Sequence, residues 1–296
     1  MFVNAIETAD QYTRPIHTIA RTYGGLVTPG AATFFFVNET GVAITCKHVA
    51  EAIVGAESIN QSYQRFKMER DALARDATFR RNLKGLELKY KYKPETTIQV
   101  KHTFVNCFDA ITNIQVQVHP TLDLAIVRFE GFTTKHYHSH AVFVNDPAKI
   151  KPGRTLCRLG FPFPEFNNFH YNPVTDDIEW TTTGNQLSPR FPIDGMITRF
   201  AGDPANPGAV LSIELSTPGL RGQSGGPLFD RDGLVYGMQY VTHHLHLGFD
   251  ITDLGIVSDG KKGKVSNSPF LHVGHCIHVN QIKAFLQEHG VRYYEA

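Results

Sequence analysis

Ser224 lies in the run Gly222-Gln223-Ser224-Gly225-Gly226-Pro227, a hydroxyl between glycines that let the backbone turn tightly. Such a turn can aim two N–H groups at one point beside the hydroxyl. Acyl transfer needs that arrangement: a nucleophile next to donors for the developing oxyanion. A serine attacks only when a base takes its proton, and an imidazole titrating near neutrality does this best. His48 supplies one, in Ile44-Thr45-Cys46-Lys47-His48-Val49-Ala50, at the end of an apolar strand where a small helical turn begins. Asp123, in Leu122-Asp123-Leu124-Ala125-Ile126-Val127, opens another strand, where a buried carboxylate can fix the imidazole tautomer and stabilise the imidazolium. Singly these are a turn, a strand-end histidine and a capping aspartate. Together, in the order His, Asp, Ser, they read as a catalytic triad.

The elements that must position them are mostly short strands. Thr33 to Val37 and Gly41 to Thr45 flank Asn38-Glu39-Thr40, a hairpin signal. Ile114, Val116 and Val118 alternate with Gln115, Gln117 and His119, and Leu211, Ile213 and Leu215 with Ser212 and Glu214, as half-buried strands do. Apolar runs at Leu122–Phe129, Thr155–Phe161 and Leu234–Val241 add more. Many short strands with little helix periodicity predict an all-β fold of barrels or sandwiches. Two segments depart from it. Residues from about 57 to 93 read as a helical insert, with Tyr63, Phe66, Leu73 and Phe79 among charges, and from Ser58 to Lys93 it holds ten Lys/Arg against four Asp/Glu. A C-terminal helix is expected at about 280–289, with Asn280 as N-cap, a stripe of Ile282, Phe285 and Leu286, and Gly290 as the stop. The proline-flanked crossing at Asp146–Pro152 divides the chain into an N-terminal barrel, 1–148, with His48 and Asp123, and a C-terminal barrel, 149–296, with Ser224.

Composition removes other classes. Apolar residues make up 42% of the 296, and no apolar stretch is long enough to span a bilayer. A net charge of +1 gives no general attraction to nucleic acid or membrane. The N-terminus lacks the basic start and apolar core of a signal peptide, and Cys46, Cys107, Cys157 and Cys276 form no CxxC pair, so reduced thiols and a cytoplasmic location are expected. His243, His244 and His246 have no carboxylate or cysteine at ligand spacing, so no metal and no cofactor is expected. The insert's aromatics fall at helical intervals, which favours packing on a barrel over base stacking; docking of a regulatory partner, or gating, is the expectation there rather than nucleic-acid binding.

The segments around His48, Asp123 and Ser224 resemble those of the trypsin-like (chymotrypsin-fold) serine peptidases, most of all the bacterial HtrA-type branch. Gly222-Gln223-Ser224-Gly225-Gly226-Pro227, Asp123-Leu124-Ala125-Ile126-Val127-Arg128 and Arg158-Leu159-Gly160-Phe161-Pro162 carry the resemblance, which spans roughly residues 25–290 outside the insert. It implies two six-stranded antiparallel barrels with the triad between them, and an oxyanion hole from the N–H groups of Gly222 and Ser224. It also implies a substrate-pairing edge strand at Tyr240, Val241 and Thr242, and a P1 pocket (for the side chain before the scissile bond) with its base near Pro218. The implied activity is an intracellular serine endopeptidase acting on a protein or peptide.

Departures from the family pattern qualify that reading. Gln223 stands where activated members carry aspartate, and no Arg/Lys-Ile-Val-Gly-Gly cleavage point exists, which argues against activation by N-terminal cleavage. Cys46 lies two residues before His48 rather than one after, so the histidine-side disulfide is missing, and no PDZ domain is expected after the helix. Pro218 is not an acid, so a small or medium apolar P1 is expected over Arg or Lys, with His243 and His244 near enough to allow an acidic or polar one. Gly222 to Gly226 also fits G-x-S-x-G, but Gly226-Pro227 denies the helix an α/β-hydrolase needs after its serine. The alternative from another class is a catalytically dormant peptide- or partner-binding protein on a protease scaffold.

Overall fold

Phenylalanines on alternating faces of one strand hold the first barrel together. The computed structural model describes residues 1–203, 206–258 and 260–296. After helix α1 (Val3–Asp10) come β1 (Thr13–Thr22), β2 (Val27–Phe36) and β3 (Val42–Thr45). Helices α2 (Lys47–Asp71) and α3 (Phe79–Tyr90) follow, then β4 (Thr97–Phe104), β5 (Asn113–Val118) and β6 (Ala125–Glu130). The six strands form one antiparallel sheet in the order β4-β1-β2-β3-β6-β5. Phe34 and Phe36 face inward and Phe35 packs outward on Tyr12. The sheet curls until Phe104 of β4 meets Phe129 of β6, ring centroids 4.9 Å apart, so side chains rather than a ladder bring its distant strands together.

The second barrel closes by hydrogen bonds. Its strands are β7 (Val142–Phe143), β8 (Thr155–Gly160), β9 (Phe169–Asn172), β10 (Asp177–Trp180), β11 (Phe191–Asp203), β12 (Asn206–Leu215) and β13 (Pro227–Phe229). They continue with β14 (Val235–His246), β15 (Ile251–Ser258), β16 (Lys261–Asn267), β17 (Phe270–His278) and, after α4 (Val279–Glu288), β18 (Tyr294–Glu295). The order β13-β8-β11-β12-β17-β14 returns to β13, making a ring of six with β7 and β18 appended. β9–β10 and β15–β16 are separate hairpins. The expected all-β, two-barrel fold is what the chain adopts.

Two helical expectations are corrected. The helix after His48 is not a small turn: α2 runs 25 residues without a break from Lys47, so the insert begins at the histidine itself. Around it Tyr23, Tyr63, Phe66, Tyr90 and Tyr92 form one aromatic cluster over Ile98 of β4, which confirms packing on the barrel. At the C-terminus the cap is His278, whose Nδ1 accepts from the Asn280 N–H (3.2 Å), two residues ahead of the expected cap. Gly290, at φ +62°, is the left-handed stop.

Candidate active site

Strand pairing brings His48 and Asp123 together. Thr45 of β3 lies opposite Ala125 of β6, so the residues just beyond the end of β3 and just before β6 meet at one end of the sheet. His48 Nδ1 lies 2.7 Å from Asp123 Oδ2, and the His48 backbone N–H donates to Oδ1 at 3.0 Å. One carboxylate oxygen thus orients the imidazole and the other holds the His48 backbone. Partial burial pushes the Asp123 pKa upward, but the hydrogen bonds from His48 outweigh it and leave the group below its ordinary value. The carboxylate is not fully buried as expected: 27% of its side chain remains exposed.

Ser224 is presented by the loop between β12 and β13, and the first barrel clamps that loop. Thr33 of β2 donates its N–H to Ser224 O (3.0 Å) and its hydroxyl to Gly222 O (2.6 Å). Gly225 donates to Gln239 O on β14 and Gly226 to Gln223 O, both at 2.9 Å. Gly222 and Gly225 sit at φ +92° and +87°, a region other residues enter only with strain. Among the described residues the N–H groups of Gly222 and Ser224 find no acceptor in the chain. Two free donors thus flank the hydroxyl.

Gln223 is fully buried; its amide donates to Phe191 O and accepts from the Leu220 N–H, both at 2.9 Å. A neutral side chain therefore ties the loop to β11. His48, Gly222 and Ser224 line one cavity of about 290 Å³, although no hydrogen bond joins Ser224 Oγ to His48 among the described residues.

The other expected site residues do not line this cavity. Tyr240, Val241 and Thr242 belong to β14, whose one edge pairs with β17. Pro218 O accepts from Arg158 Nη2 (3.0 Å), and this guanidinium, which the sequence reading did not single out, also donates to Thr217 O, Thr217 Oγ1 and Gln239 Oε1. Arg158 is fully buried and makes no ion pair among the described residues. A lone charge within Leu156-Cys157-Arg158-Leu159 was the available signal. His243 packs on His275 (4.2 Å between centroids) and His244 on His272 (4.7 Å), within the β14–β17 pairing.

Cys46, His48 and Asp123 are the one group among the described residues whose ligand atoms lie within 4.8 Å of one another. They do not suit a metal. The buried Cys46 thiol is pushed far above its ordinary pKa by desolvation and contacts Gln239 O at 3.3 Å, while His48 Nδ1 and Asp123 satisfy each other.

The family profile for the trypsin-like peptidase domain matches residues 32–238. No curated protein matches the chain. Among solved structures, the Rv3671c protease from M. tuberculosis in its active form is 13% identical, with 98% of this chain and 86% of that one covered at a TM-score of 0.47. The inactive form of its serine-to-alanine mutant is 12% identical, with 97% and 90% covered at a TM-score of 0.46.

Proposed function

As the chain belongs to the trypsin-like peptidase domain family, we propose that it is a serine endopeptidase with Ser224 as nucleophile, His48 as base and then acid, and Asp123 as the residue that orients His48. The observation that carries this is the Asp123–His48 pair at 2.7 Å beside a serine loop with two unused N–H groups. With Asp123 accepting at Nδ1, the imidazole proton stays there and Nε2 is free to receive the Ser224 proton. The alkoxide attacks the scissile carbonyl, and Gly222 and Ser224 N–H stabilise the oxyanion. His48 then protonates the departing amine, and water repeats the sequence to release the acyl group.

The division of labour follows the barrels: residues 1–148 carry His48 and Asp123, residues 149–296 carry Ser224. Tyr240 to Thr242 would pair with the acyl half of the substrate by adding it as a strand. The buried Arg158 cation behind Pro218 opposes a lysine or arginine before the scissile bond. Gln223 holds the loop without a charged partner, so no freed N-terminus is required. The basic outer side of α2 and α3 is the surface for a regulatory protein partner. No helix among the described residues is long and apolar enough to cross a membrane.

Labelling with a fluorophosphonate, read by intact mass, tests the assignment. The wild type should gain one phosphonyl group and Ser224→Ala none, with turnover in that variant falling about a million-fold. The missing Ser224–His48 hydrogen bond favours a second reading, a dormant scaffold that binds peptides. An unlabelled wild type that still binds peptide would select it.

A further inference from the structure

The cavity beside Ser224 lies on the side of the departing amine. His48 must deliver its proton to that nitrogen, so the residue after the scissile bond rests against His48 and the first turns of its helix. The cavity is built there: its apolar walls are Ile16, Ala31, Val49, Ala52 and Ile53, from β1, β2 and α2. Two of its polar groups consume each other, since Thr18 Oγ1 and His102 Nδ1 are hydrogen-bonded at 2.8 Å. The His102 Nε2 lies 3.3 Å from Ala52 O. What remains open is an apolar recess with Arg221 as its cation.

The acyl side is tightly braced by contrast. Gly219 donates its N–H to Thr242 Oγ1 and accepts that hydroxyl's proton at its carbonyl, both at 2.8 Å. This laces the wall at 217–220 to the strand that would hold the acyl half. The Gln239 side chain packs directly against this wall, since a Cβ on Gly219 would meet its Nε2 at 2.5 Å. Arg158 holds Gln239, Thr217 and Pro218 from behind. These contacts hold the two walls against one another, which favours a small side chain before the scissile bond.

We propose that the cavity lined by Ala31, Val49 and Ala52 is the principal specificity site, taking an apolar side chain of leucine or methionine class from the residue that follows the scissile bond, while the residue before it is small. This rests on the serine peptidase reading above. Burial of one such side chain should favour it over glycine roughly 10- to 100-fold.

Deacylation by an added amine reads the site directly. The Ser224 ester is broken, an amide C–N bond forms, and the amine proton taken by His48 passes to Ser224 Oγ. The full chain is acylated with the nitrophenyl ester of acetyl-alanine, with Ser224→Ala as blank, and amide product is measured with leucinamide against glycinamide. Leucinamide should win about 10- to 100-fold, and Ala52→Phe, which fills the recess, should bring the ratio near one. Equal capture by wild type, or a leucinamide preference untouched in a folded Ala52→Phe variant, overturns the inference. Should that variant not fold, the wild-type ratio alone decides. Absence of both nitrophenol release and fluorophosphonate labelling would instead sink the peptidase reading.

Discussion

Replacing Asp123 with asparagine isolates the role of the carboxylate from that of the fold. The carbonyl oxygen of the new amide can keep the bond from the His48 N–H, now 3.0 Å long, so the loop before β6 should stay in place. Its NH2 group would then face His48 Nδ1 across the present 2.7 Å contact. A donor there requires Nδ1 to accept, which puts the imidazole proton on Nε2, the atom that must be bare to activate Ser224. A wrong tautomer of this kind costs about 10,000-fold in kcat in triad enzymes, equivalent to about 5.5 kcal/mol of barrier. The His48 side chain is 53% exposed, so water competes for Nδ1 and the loss should lie between about 1,000- and 10,000-fold. Stability should change by less than about 1 kcal/mol, because one neutral hydrogen bond replaces a charged one at a half-open site. The assay is the nitrophenol burst from an activated ester, with urea midpoints measured in parallel. A folded Asp123→Asn variant acylating within about tenfold of wild type would refute the orienting role.

Three further expectations concern the framework. Arg158→Met removes the donors that serve Thr217 O, Pro218 O and Gln239 Oε1 inside the second barrel, so it should lose about 3 kcal/mol of stability in urea melts; an unchanged midpoint would mean those acceptors find other partners. Asp176 accepts from Arg21, Tyr63, Arg70 and Tyr171, tying α2 to the β9–β10 turn, and Asp176→Ala leaves the buried Arg21 uncompensated, about 3 kcal/mol by the same measurement. Burial pulls His17 and His278 down to about 4, so the folded state resists protons that the unfolded chain binds below about 6.5. Stability from these groups is complete above that value and is lost as pH falls toward 4. His17→Phe, which stays stacked on Phe166, should flatten part of that acid slope, and an identical slope would discount His17.

The residues that meet at the site were legible because each is announced by its neighbours. Gly222 and Gly225 take positive φ, and the apolar strands before His48 and after Asp123 fix where the chain must emerge. The helix at His48 was harder to read. Lys47 to Ala56 mixes Val, Ile and Gly with Ala and Glu, so neither period dominates, and tertiary contact with β4 decides that the helix is continuous. The role of Arg158 could not be read from its strand, since its partners Thr217 and Gln239 lie far away in sequence and meet only when β13 closes the ring. Likewise the surroundings of Pro218 could not be read from its own segment, since they are set by Arg158 behind it and by Thr242 reaching across to Gly219.

Neutral contacts set the serine loop. Gln223 binds backbone groups at Phe191 and Leu220, and Thr33 binds backbone groups at Ser224 and Gly222. None of these partners titrates or depends on a freed terminus, so the N–H groups of Gly222 and Ser224 are held in place whenever the barrels are packed together. What is left unmade is the contact between Ser224 Oγ and His48, and His48 rides on the first turn of α2. The same helix is pinned at Tyr63 and Arg70 by Asp176 and at Asn60 by Val100, whose N–H and carbonyl both bond its side chain. On the proposed reading, a partner gripping the basic insert would act through His48 rather than through Ser224, by shifting the helix that carries it.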